Sequence, residues 1–303
     1  MTEATGLRMV LRADATSAIG AGHAMRLATL GAAWRAAGGE PVAIGEHSIP
    51  FVAAHYRDLD IKVASGEEPI GDIVVVDSYD PGIRFRHAQP AGPALRVLLD
   101  DTGGLVPPGF DVVWNPNPYG GAEHYPGFAG FVVSGPDHVA VRPDVPPWCR
   151  QNDEVVVSVG GGEPRSTVWD AFEGLLHLLP NEPVAMAGPV APRGWRHIEP
   201  TRFWAEASRA KMLVTAAGGT LWEAAAAGIP VVVLQIADNQ RFGYRWARDA
   251  GVPGINALLV DGDFMAHQLR ALIGAARPLP RLTNGAGRVA AALARLASAR
   301  VRR

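Results

Sequence analysis

The chain has 303 residues, of which 48% are hydrophobic and 19% are charged, and its formal net charge is −2. This length exceeds one ordinary hydrophobic core and fits two domains of about 150 residues each, and the composition excludes a largely disordered chain. The balanced charge excludes a broadly basic surface that would bind nucleic acid or anionic membranes, and the single cysteine, Cys149, excludes an intramolecular disulfide and a multi-cysteine zinc site.

Short apolar runs recur through the first half of the chain. Continuous runs of this length, bounded by Asp, Gly and Pro, are typical of strands that are buried on both faces of a parallel sheet. They occupy residues 9–14, 41–45, 73–79, 95–101, 111–117 and 131–135. We therefore predict a Rossmann-like α/β domain over residues 1–148, with a Pro-rich linker near residues 146–152.

The second half repeats this alternation of strand and helix. Predicted strands occupy residues 154–162, 183–188, 211–219 and 229–235, and predicted helices occupy residues 169–179, 220–227 and 239–250. The pattern indicates a second Rossmann-like domain over residues 149–280, with ligand sites at the carboxyl ends of its strands. A last helix near residues 284–298, within a C-terminal segment 281–303, has an apolar face that could pack back on the first domain. The predicted architecture is two facing Rossmann-like domains with a cleft between them.

Three predicted strands run into glycine-rich turns. They hold Gly20 and Gly22 ahead of His23, Gly161 and Gly162 after residues 154–159, and Gly218 and Gly219. Glycine lets backbone N–H groups approach a ligand closely, and a helix that follows offers unpaired N–H groups and a positive dipole end to an anion such as a diphosphate. None of the turns matches the full dinucleotide fingerprint or the phosphate loop, so a purely structural turn is an equal alternative for each.

The turn at Gly218 and Gly219 is followed by Thr220 and, three residues later, by Glu223. One interpretation is a capping box, in which Thr220 is the N-cap of the helix and Glu223 reaches back to it. The other is that Glu223 accepts the two ribose hydroxyls of a nucleotide whose phosphates lie at the same helix end. The two roles do not exclude each other.

Other acidic and histidine positions give weaker signals. Residues 261–263 read Asp-Gly-Asp, which imitates a metal-binding motif, but they lie ahead of a helix where Asp and Gly are ordinary turn residues. Asp100 and Asp101 close a buried strand, so one of these carboxylates is expected to be structural. Six further histidines have no partner at the spacing of metal ligands, and we therefore predict neither a metal site nor a cofactor.

A set of motifs in fixed order carries a family resemblance. The chain contains, in order, RADATSAIGAGHAMR, VVDSYD, LLDD, SGPDHVAVRPD, VSVGGGEP and TAAGGTLWEAAAAGIPVVVLQIADNQ. Together they resemble the PseG-like UDP-sugar hydrolases of pseudaminic acid biosynthesis and, more widely, the MurG- and SpsG-like branch of the GT-B glycosyltransferases. The resemblance implies a GT-B fold that holds the nucleotide in the C-terminal domain. It also implies inverting hydrolysis of a UDP-linked diacetamido-trideoxy sugar to UDP and the free sugar, without a metal.

Carried over residue by residue, the resemblance implies that three side chains are catalytic: His23, Tyr79 and Asn239. Contacts to the substrate or the nucleotide are expected from Arg12, Asp14, Gly20, Gly22, Gly161, Gly162, Gly188, Gly218, Gly219, Thr220, Leu221, Glu223, Asp238 and Gln240. The chain departs from the family pattern at Leu27 and at residues 80–88 and 162–164. Most of these departures lie where the sugar would bind, so the identity of the sugar is the least determined part of the prediction.

Elementary chemistry agrees with these assignments. Water must lose a proton as it attacks the anomeric carbon, and a neutral imidazole is a suitable base near pH 7. The helix N-terminus disfavours an imidazolium at His23, which keeps this base neutral. The alternatives are that His23 merely starts a helix, that Tyr79 is a packed aromatic, and that Arg12 and Asp14 form a structural ion pair.

Three functions compete at this stage. The first is a UDP-sugar hydrolase, the second is a GT-B glycosyltransferase that moves a similar sugar to an acceptor, and the third is an inactive protein that binds nucleotide sugars. The expected partner is a small nucleotide sugar rather than a nucleic acid. The first residues show no signal-peptide pattern and no apolar run has the length of a membrane span, so we expect a cytoplasmic protein. The sequence leaves the oligomeric state open.

Overall fold

The computed structural model describes residues 4–64, 70–89, 94–160, 165–179, 182–188 and 190–301. The chain divides into two compact units, one formed by Met1–Arg142 together with Thr283–Arg303 and the other by Pro143–Leu282. Each unit has its own parallel sheet, as the alternation of apolar runs and helices predicts. In the described part of the chain, no helix combines the length and the apolar character needed to cross a membrane.

The first unit contains, within its described residues, a seven-stranded sheet in which every neighbouring pair is parallel. Its strands are β1 (Arg8–Ala13), β2 (Glu40–Ile44), β3 (Lys62–Val63), β4 (Ile73–Asp77), β5 (Leu95–Leu99), β6 (Val112–Trp114) and β7 (Phe131–Val133). The order is β3-β2-β1-β4-β5-β6-β7, so the direction of winding reverses between β1 and β4. Ala13 pairs with Asp77 and Asp77 with Leu99, which brings the carboxyl ends of β1, β4 and β5 together.

Helices α1 (Gly22–Ala36), α2 (Pro50–Asp58) and α3 (Pro81–Ala88) connect these strands. Helix α1 is anchored by its apolar face, because Leu27, Leu30 and Trp34 are fully buried in the core of the unit. Proline opens α2 and α3 at the first turn, where its missing N–H costs no helical hydrogen bond. Helix α1 therefore has a fixed position that does not depend on the side chain of His23.

The second unit has a six-stranded parallel sheet in its described residues, with the order β10-β9-β8-β11-β12-β13. The strands are β8 (Val155–Ser158), β9 (Val184–Ala187), β10 (Arg196–Ile198), β11 (Met212–Ala216), β12 (Val231–Gln235) and β13 (Gly254–Asn256). The helices are α4 (Ser166–Leu178), α5 (Phe203–Ala207), α6 (Gly219–Ala227), α7 (Arg241–Asp249) and α8 (Gly262–Ile273). The winding reverses between β8 and β11, the point at which open α/β sheets bind ligands.

The chain ends in α9 (Ala286–Val301), which belongs to the first unit. Val289, Leu293 and Ala297 of this helix are buried in the same core cluster as Leu27 and Leu30 of α1. The apolar residues of α9 recur at helical spacing, and their burial against α1 accounts for the helix.

Candidate functional site

The candidate site of the first unit lies at the carboxyl ends of β1, β4 and β5, where α1 begins. Gly20 has a φ of +82°, a conformation that favours glycine, and Ala21 is the N-cap of α1. Ala21 makes no side-chain capping bond, and His23 lies one residue inside the helix with 8% of its surface exposed. His23 does not start the helix, so its imidazole is available for another role.

His23 forms a hydrogen-bonded pair with Asp77, the last residue of β4. The Nδ1 atom of His23 contacts Oδ1 of Asp77, whose carboxylate is 1% exposed. Arg26, three residues after His23 on α1, donates from Nε to Oδ2 of Asp77 at 2.5 Å and from Nη2 to Oδ1 at 2.7 Å. The carboxylate is thus bound by a histidine and by one side of a guanidinium group, through its Nε and Nη2 atoms.

The charges around Asp77 keep its carboxylate ionised. Burial by itself would raise the pKa of Asp77, but the positive charge of Arg26 and the contact with His23 outweigh burial and hold this pKa well below its ordinary value. An ionised carboxylate only accepts hydrogen bonds, so Nδ1 of His23 must donate its proton to Asp77. In neutral His23 the lone pair then lies on Nε2, and no described residue forms a hydrogen bond to that atom.

Arg26 also links this pair to a second carboxylate and to Tyr79. Its Nη1 donates to Oδ2 of Asp101 at 2.7 Å, and the hydroxyl of Tyr79 reaches the two oxygens of Asp101 at 2.8 and 2.9 Å. The Tyr79 ring meets the imidazole of His23 edge to face, with centroids 4.8 Å apart and planes at 82°. Tyr79 is 43% exposed, so it contacts the buried cluster and still presents surface to a ligand.

The guanidinium of Arg26 is held in place by its two carboxylates. Burial would lower the pKa of Arg26, but the charges of Asp77 and Asp101 outweigh burial and raise this pKa well above its ordinary value.

The neighbouring Asp100 has a structural role. It accepts hydrogen bonds from Arg84 and from Thr102 and Gly103, which fixes the loop after β5. Asp100 is therefore the structural member of the Asp100-Asp101 pair.

Arg12 and Asp14, expected to contact substrate, bond to each other in the structure. Nη1 and Nη2 of Arg12 donate to the two carboxylate oxygens of Asp14 at 2.6 and 3.0 Å, and the backbone N–H of Glu46 donates to Asp14 at 2.8 Å. Burial opposes ionisation, but the bond from Arg12 outweighs it and lowers the pKa of Asp14. This geometry favours the alternative of a structural ion pair that fixes the loop after β1.

The glycine turn of the second unit corrects one prediction. Helix α6 begins at Gly219 with Gly218 as its N-cap, so Thr220 lies inside the first turn and is not the N-cap. Because glycine allows the chain to enter the helix before Thr220, Glu223 lies beyond the position that closes a capping box. The capping-box interpretation of Thr220 and Glu223 is therefore wrong.

The same turn has a bare surface. A Cβ atom added at Gly218 or Gly219 would meet no atom of the described residues within 4 Å outside the turn itself. The N–H groups of Gly218 and Leu221 are bonded inside the turn, to the carbonyls of Ala216 and Gly218, whereas those of Gly219 and Thr220 find no acceptor among the described residues. The side chain of Leu221 is fully buried, so this residue offers no side-chain contact to a ligand.

The other predicted positions of the second unit lie on separate loops. Asp238 and Asn239 are exposed in a 3₁₀ turn, Asp238–Gln240, that directly follows β12. The side-chain oxygen of Gln240 accepts from the N–H of Ile236 at 2.9 Å, which fixes this turn. Gly188 follows β9, and its carbonyl is 2.8 Å from Nε2 of His197. Gly161 and Gly162 lie outside the described residues.

Residues 261–263 behave as a turn. Asp261 is the N-cap of α8, and its side chain accepts from the N–H of Phe264 at 2.8 Å. The interpretation of this motif as a helix start is confirmed. The part of the chain that the structure describes contains no group of three or more His, Cys, Asp or Glu residues placed to hold a metal ion.

Sequence reasoning missed three members of the first-unit cluster: Arg26, Asp77 and Asp101. A signal for Arg26 existed, because residues three apart on a helix share a face and Arg26 follows His23 by three. Asp77 and Asp101 each stand at or just after the end of a buried apolar run. Their meeting with His23 depends on the order of the strands, which apolar patterning does not encode.

Comparison with known proteins identifies the fold. No family model matches the chain, and no match is found among curated proteins. Among solved structures, the glycosyltransferase of kitacinnamycin matches with a TM-score of 0.61 at 14% identity, covering 98% of this chain and 95% of that one. The glycosyltransferase SnogD from Streptomyces nogalater matches with a TM-score of 0.58 at 17% identity, covering 96% and 99%. The Streptomyces glycosyltransferase SsfS6, complexed with thymidine diphosphate, gives 0.57 at 15% identity, covering 97% and 99%. The chain therefore has the GT-B fold of these glycosyltransferases.

Proposed function

We propose that this chain is an enzyme that cleaves the bond between the anomeric carbon and the diphosphate of a nucleotide sugar, with His23 as the general base. One observation carries the proposal. Nδ1 of His23 is tied to an ionised, buried Asp77, while Nε2 makes no hydrogen bond to the described residues. A histidine held in this way has its lone pair on the free nitrogen and can take a proton from a hydroxyl group near neutral pH.

The reaction balances with this one base. The oxygen of an attacking hydroxyl group forms a bond to the anomeric carbon, and its proton passes to Nε2 of His23. The bond from the anomeric carbon to the phosphate oxygen breaks, and its electron pair leaves with the nucleoside diphosphate. Asp77 remains ionised and stabilises the imidazolium that forms. A single displacement of this kind inverts the configuration of the anomeric carbon.

The glycine turn of the second unit supports a role in binding the diphosphate. The N–H groups of Gly219 and Thr220 find no acceptor among the described residues, and they lie at the N-terminus of α6, the positive end of the helix dipole. Backbone N–H groups at a helix N-terminus bind phosphate and stabilise the charge that develops on a leaving diphosphate. Thymidine diphosphate bound to the structural neighbour SsfS6 is consistent with a nucleotide ligand. We assign Glu223 to the ribose hydroxyls, and Asn239 with Asp238 to the sugar.

For the finer activity we propose hydrolysis, in which the attacking hydroxyl is water and the substrate is a UDP-linked amino sugar. The resemblance of the motifs from residue 12 to about residue 290 to UDP-sugar hydrolases supports this assignment. A second candidate is transfer of the sugar to an acceptor hydroxyl. It is favoured by the three structural neighbours above, each of which is described as a glycosyltransferase. The chemistry at His23 is the same in both cases.

Incubation without an acceptor separates the two candidates. The protein is mixed with a panel of UDP- and dTDP-linked amino sugars, and the free sugar and the nucleoside diphosphate are both quantified. Hydrolysis predicts that the two products appear together in equal amounts with no acceptor present. Turnover that starts only when an acceptor is added contradicts hydrolysis and supports transfer. The His267→Ala variant is the control histidine replacement, because His267 is exposed on α8 of the second unit.

A further inference from the structure

The positive charge of Arg26 is expected to disfavour protonation of His23 and so to weaken it as a base. A carboxylate strengthens a histidine base because it stabilises the imidazolium. Here the guanidinium of Arg26 donates hydrogen bonds to both oxygens of Asp77, and its Nη2 lies 3.3 Å from Nδ1 of His23. One arginine beside one aspartate forms a neutral pair, which would cancel most of the help that Asp77 gives to His23.

Asp101 restores the missing negative charge. It binds the far side of the guanidinium, with Nη1 of Arg26 at 2.7 Å from its Oδ2. Arg26, Asp77 and Asp101 together carry a net charge of about −1, and the cluster that also includes His23 becomes neutral once His23 takes a proton. Asp101 is largely shielded, with 15% of its side chain exposed, so solvent screens this charge less than it would screen a surface carboxylate.

We infer that Asp101 is a positioning residue. By compensating part of the positive charge of Arg26, it leaves the negative charge of Asp77 available to His23, so that His23 can accept and hold the proton of the attacking hydroxyl. This inference rests on the proposed base role of His23. Asp101 acts through Arg26, because its hydrogen bonds to described residues come from Arg26 and Tyr79 rather than from the imidazole. Its bond to Tyr79 adds a second effect, because the Tyr79 ring fixes one edge of the imidazole.

The other titratable groups around the cluster are the Arg84–Asp100 ion pair, whose charges cancel, and several tyrosines. Tyr79 follows β4, Tyr119 lies on the loop after β6, and Tyr56 of α2 donates from its hydroxyl to the carbonyl of Ala24 at 3.0 Å. Burial, and then the negative charge of Asp101, raise the pKa of Tyr119, and burial followed by the charge of Asp77 raises the pKa of Tyr56. The raised pKa values of Tyr56 and Tyr119 keep these two tyrosines neutral in the pH range in which histidine titrates. The charged groups of the hydrogen-bonded cluster next to His23 are therefore Arg26, Asp77 and Asp101.

The test is a titration of the histidine rings by NMR on the full-length, ligand-free protein labelled with ¹⁵N-histidine. Loss of one signal in His23→Gln assigns His23 among the nine histidines. The isosteric variant Asp101→Asn removes the charge, and we expect the His23 midpoint to move about one pH unit toward acid. Asp101→Glu keeps the charge and is expected to restore most of the midpoint, and Tyr79→Phe keeps the charge and is expected to move it less than half as far.

The sign of the shift decides the outcome. An unchanged midpoint in Asp101→Asn, or one moved toward alkaline pH, overturns the inference. Arg26→Gln provides a second reading, because removal of the positive charge is expected to move the midpoint toward alkaline pH. This opposite sign separates an electrostatic effect from structural damage. If Asp101→Asn does not fold, an acid shift or no shift in Arg26→Gln overturns the inference.

Turnover separates this inference from the proposed function. With an active nucleotide sugar, Asp101→Asn is expected to lower kcat at alkaline pH by up to about tenfold and to move the acid limb of the kcat/KM profile, which reports the free enzyme, with the NMR midpoint. If the midpoint moves as expected but His23→Ala keeps full turnover, the proposed base role of His23 fails, and only the electrostatic effect of Asp101 on the His23 imidazole stands. If His23→Ala loses turnover and the midpoint in Asp101→Asn does not move, only the role of Asp101 fails.

Discussion

The two units carry their candidate sites at the same place in their sheets, but one site consists of charged and polar side chains and the other of glycine backbone. In the first unit, the reversal between β1 and β4 is lined by buried or half-buried side chains that pair with one another: His23, Arg26, Asp77 and Asp101. In the second, the reversal between β8 and β11 is lined by glycine, with Gly160 after β8 and Gly218 and Gly219 after β11. A site that moves a proton needs tuned side chains, whereas a site that holds a permanently charged phosphate needs only backbone N–H groups.

The largest effect expected from this contrast is at Asp77. Asp77→Asn keeps the shape of the side chain but no longer requires Nδ1 of His23 to donate, so the lone pair is not held on Nε2. We expect kcat to fall by about 10²–10⁴, with nucleotide affinity nearly unchanged, because the turn of the second unit is intact. Steady-state kinetics combined with calorimetric titration of UDP checks this split. A kcat within about threefold of wild type would show that the aspartate does not orient the base.

In the second unit the opposite pattern is expected from Gly219→Ala. An added Cβ meets no atom of the described residues within 4 Å, so the variant should fold, but the methyl group occupies the space in front of the N–H groups of Gly219 and Thr220. We expect nucleotide affinity to fall by about tenfold, measured by calorimetry.

Gly287→Ala is the matched control for this substitution. Gly287 lies in the first turn of α9, and a Cβ there also meets nothing within 4 Å. Both variants should be as stable as wild type or slightly more stable, because alanine favours a helix over glycine. Equal nucleotide affinity in the two variants would contradict a phosphate site at the turn after β11.

The free energy of unfolding is expected to depend on pH through Asp77 of the first unit. The folded-state pKa of Asp77 is depressed by Arg26 and His23, so the ionised carboxylate stabilises the fold above its unfolded pKa of about 4 and loses this effect as the pH falls. We therefore expect the difference in free energy of unfolding between wild type and Asp77→Asn to narrow as the pH falls from 4. Urea unfolding of both proteins at a series of pH values from 7 to 3 measures this difference in free energy. A difference that stays constant with pH would mean that Asp77 titrates alike in the folded and unfolded chains.

The smallest effect is expected at Thr220. Because Gly218 and not Thr220 is the N-cap of α6, Thr220→Ala should change the free energy of unfolding by less than about 0.5 kcal/mol. Asp261→Ala is the matched comparison, since Asp261 does cap α8 and its removal should cost about 1 kcal/mol. Thermal or urea unfolding of both variants provides the values. A loss at Thr220 as large as that at Asp261 would restore the capping interpretation.

Much of the fold could be predicted because its central strands are continuous runs of buried apolar residues that end in Asp, Gly or Ser. The sequence does not predict β3, β10 and β13, because these short strands lie at or near the sheet edges and lack a continuous run of buried apolar residues. The turn at Gly20 identified His23 as a candidate. The pairing of His23 with Asp77, 54 residues away, follows from β4 lying next to β1, and this order is set by tertiary packing.

The same limit applies at the predicted binding positions. Arg12 and Asp14 are alternate residues of the chain, so nothing local distinguishes two groups that contact a ligand from two groups that satisfy each other. The structure shows that they pair. At the second turn, local capping rules favoured Thr220, but the glycines before it allow the helix to begin earlier, and the tertiary position of α6 determines where it begins.

The central claim is that His23 takes the proton of the attacking hydroxyl while the second unit binds the nucleotide. Its most direct test is to measure UDP affinity and kcat on the same preparation of His23→Ala, with His267→Ala as the control. The account predicts that kcat falls by about 10²–10⁴ while the dissociation constant for UDP stays within about threefold of wild type. Turnover preserved in His23→Ala, or UDP binding lost with turnover intact, would contradict it.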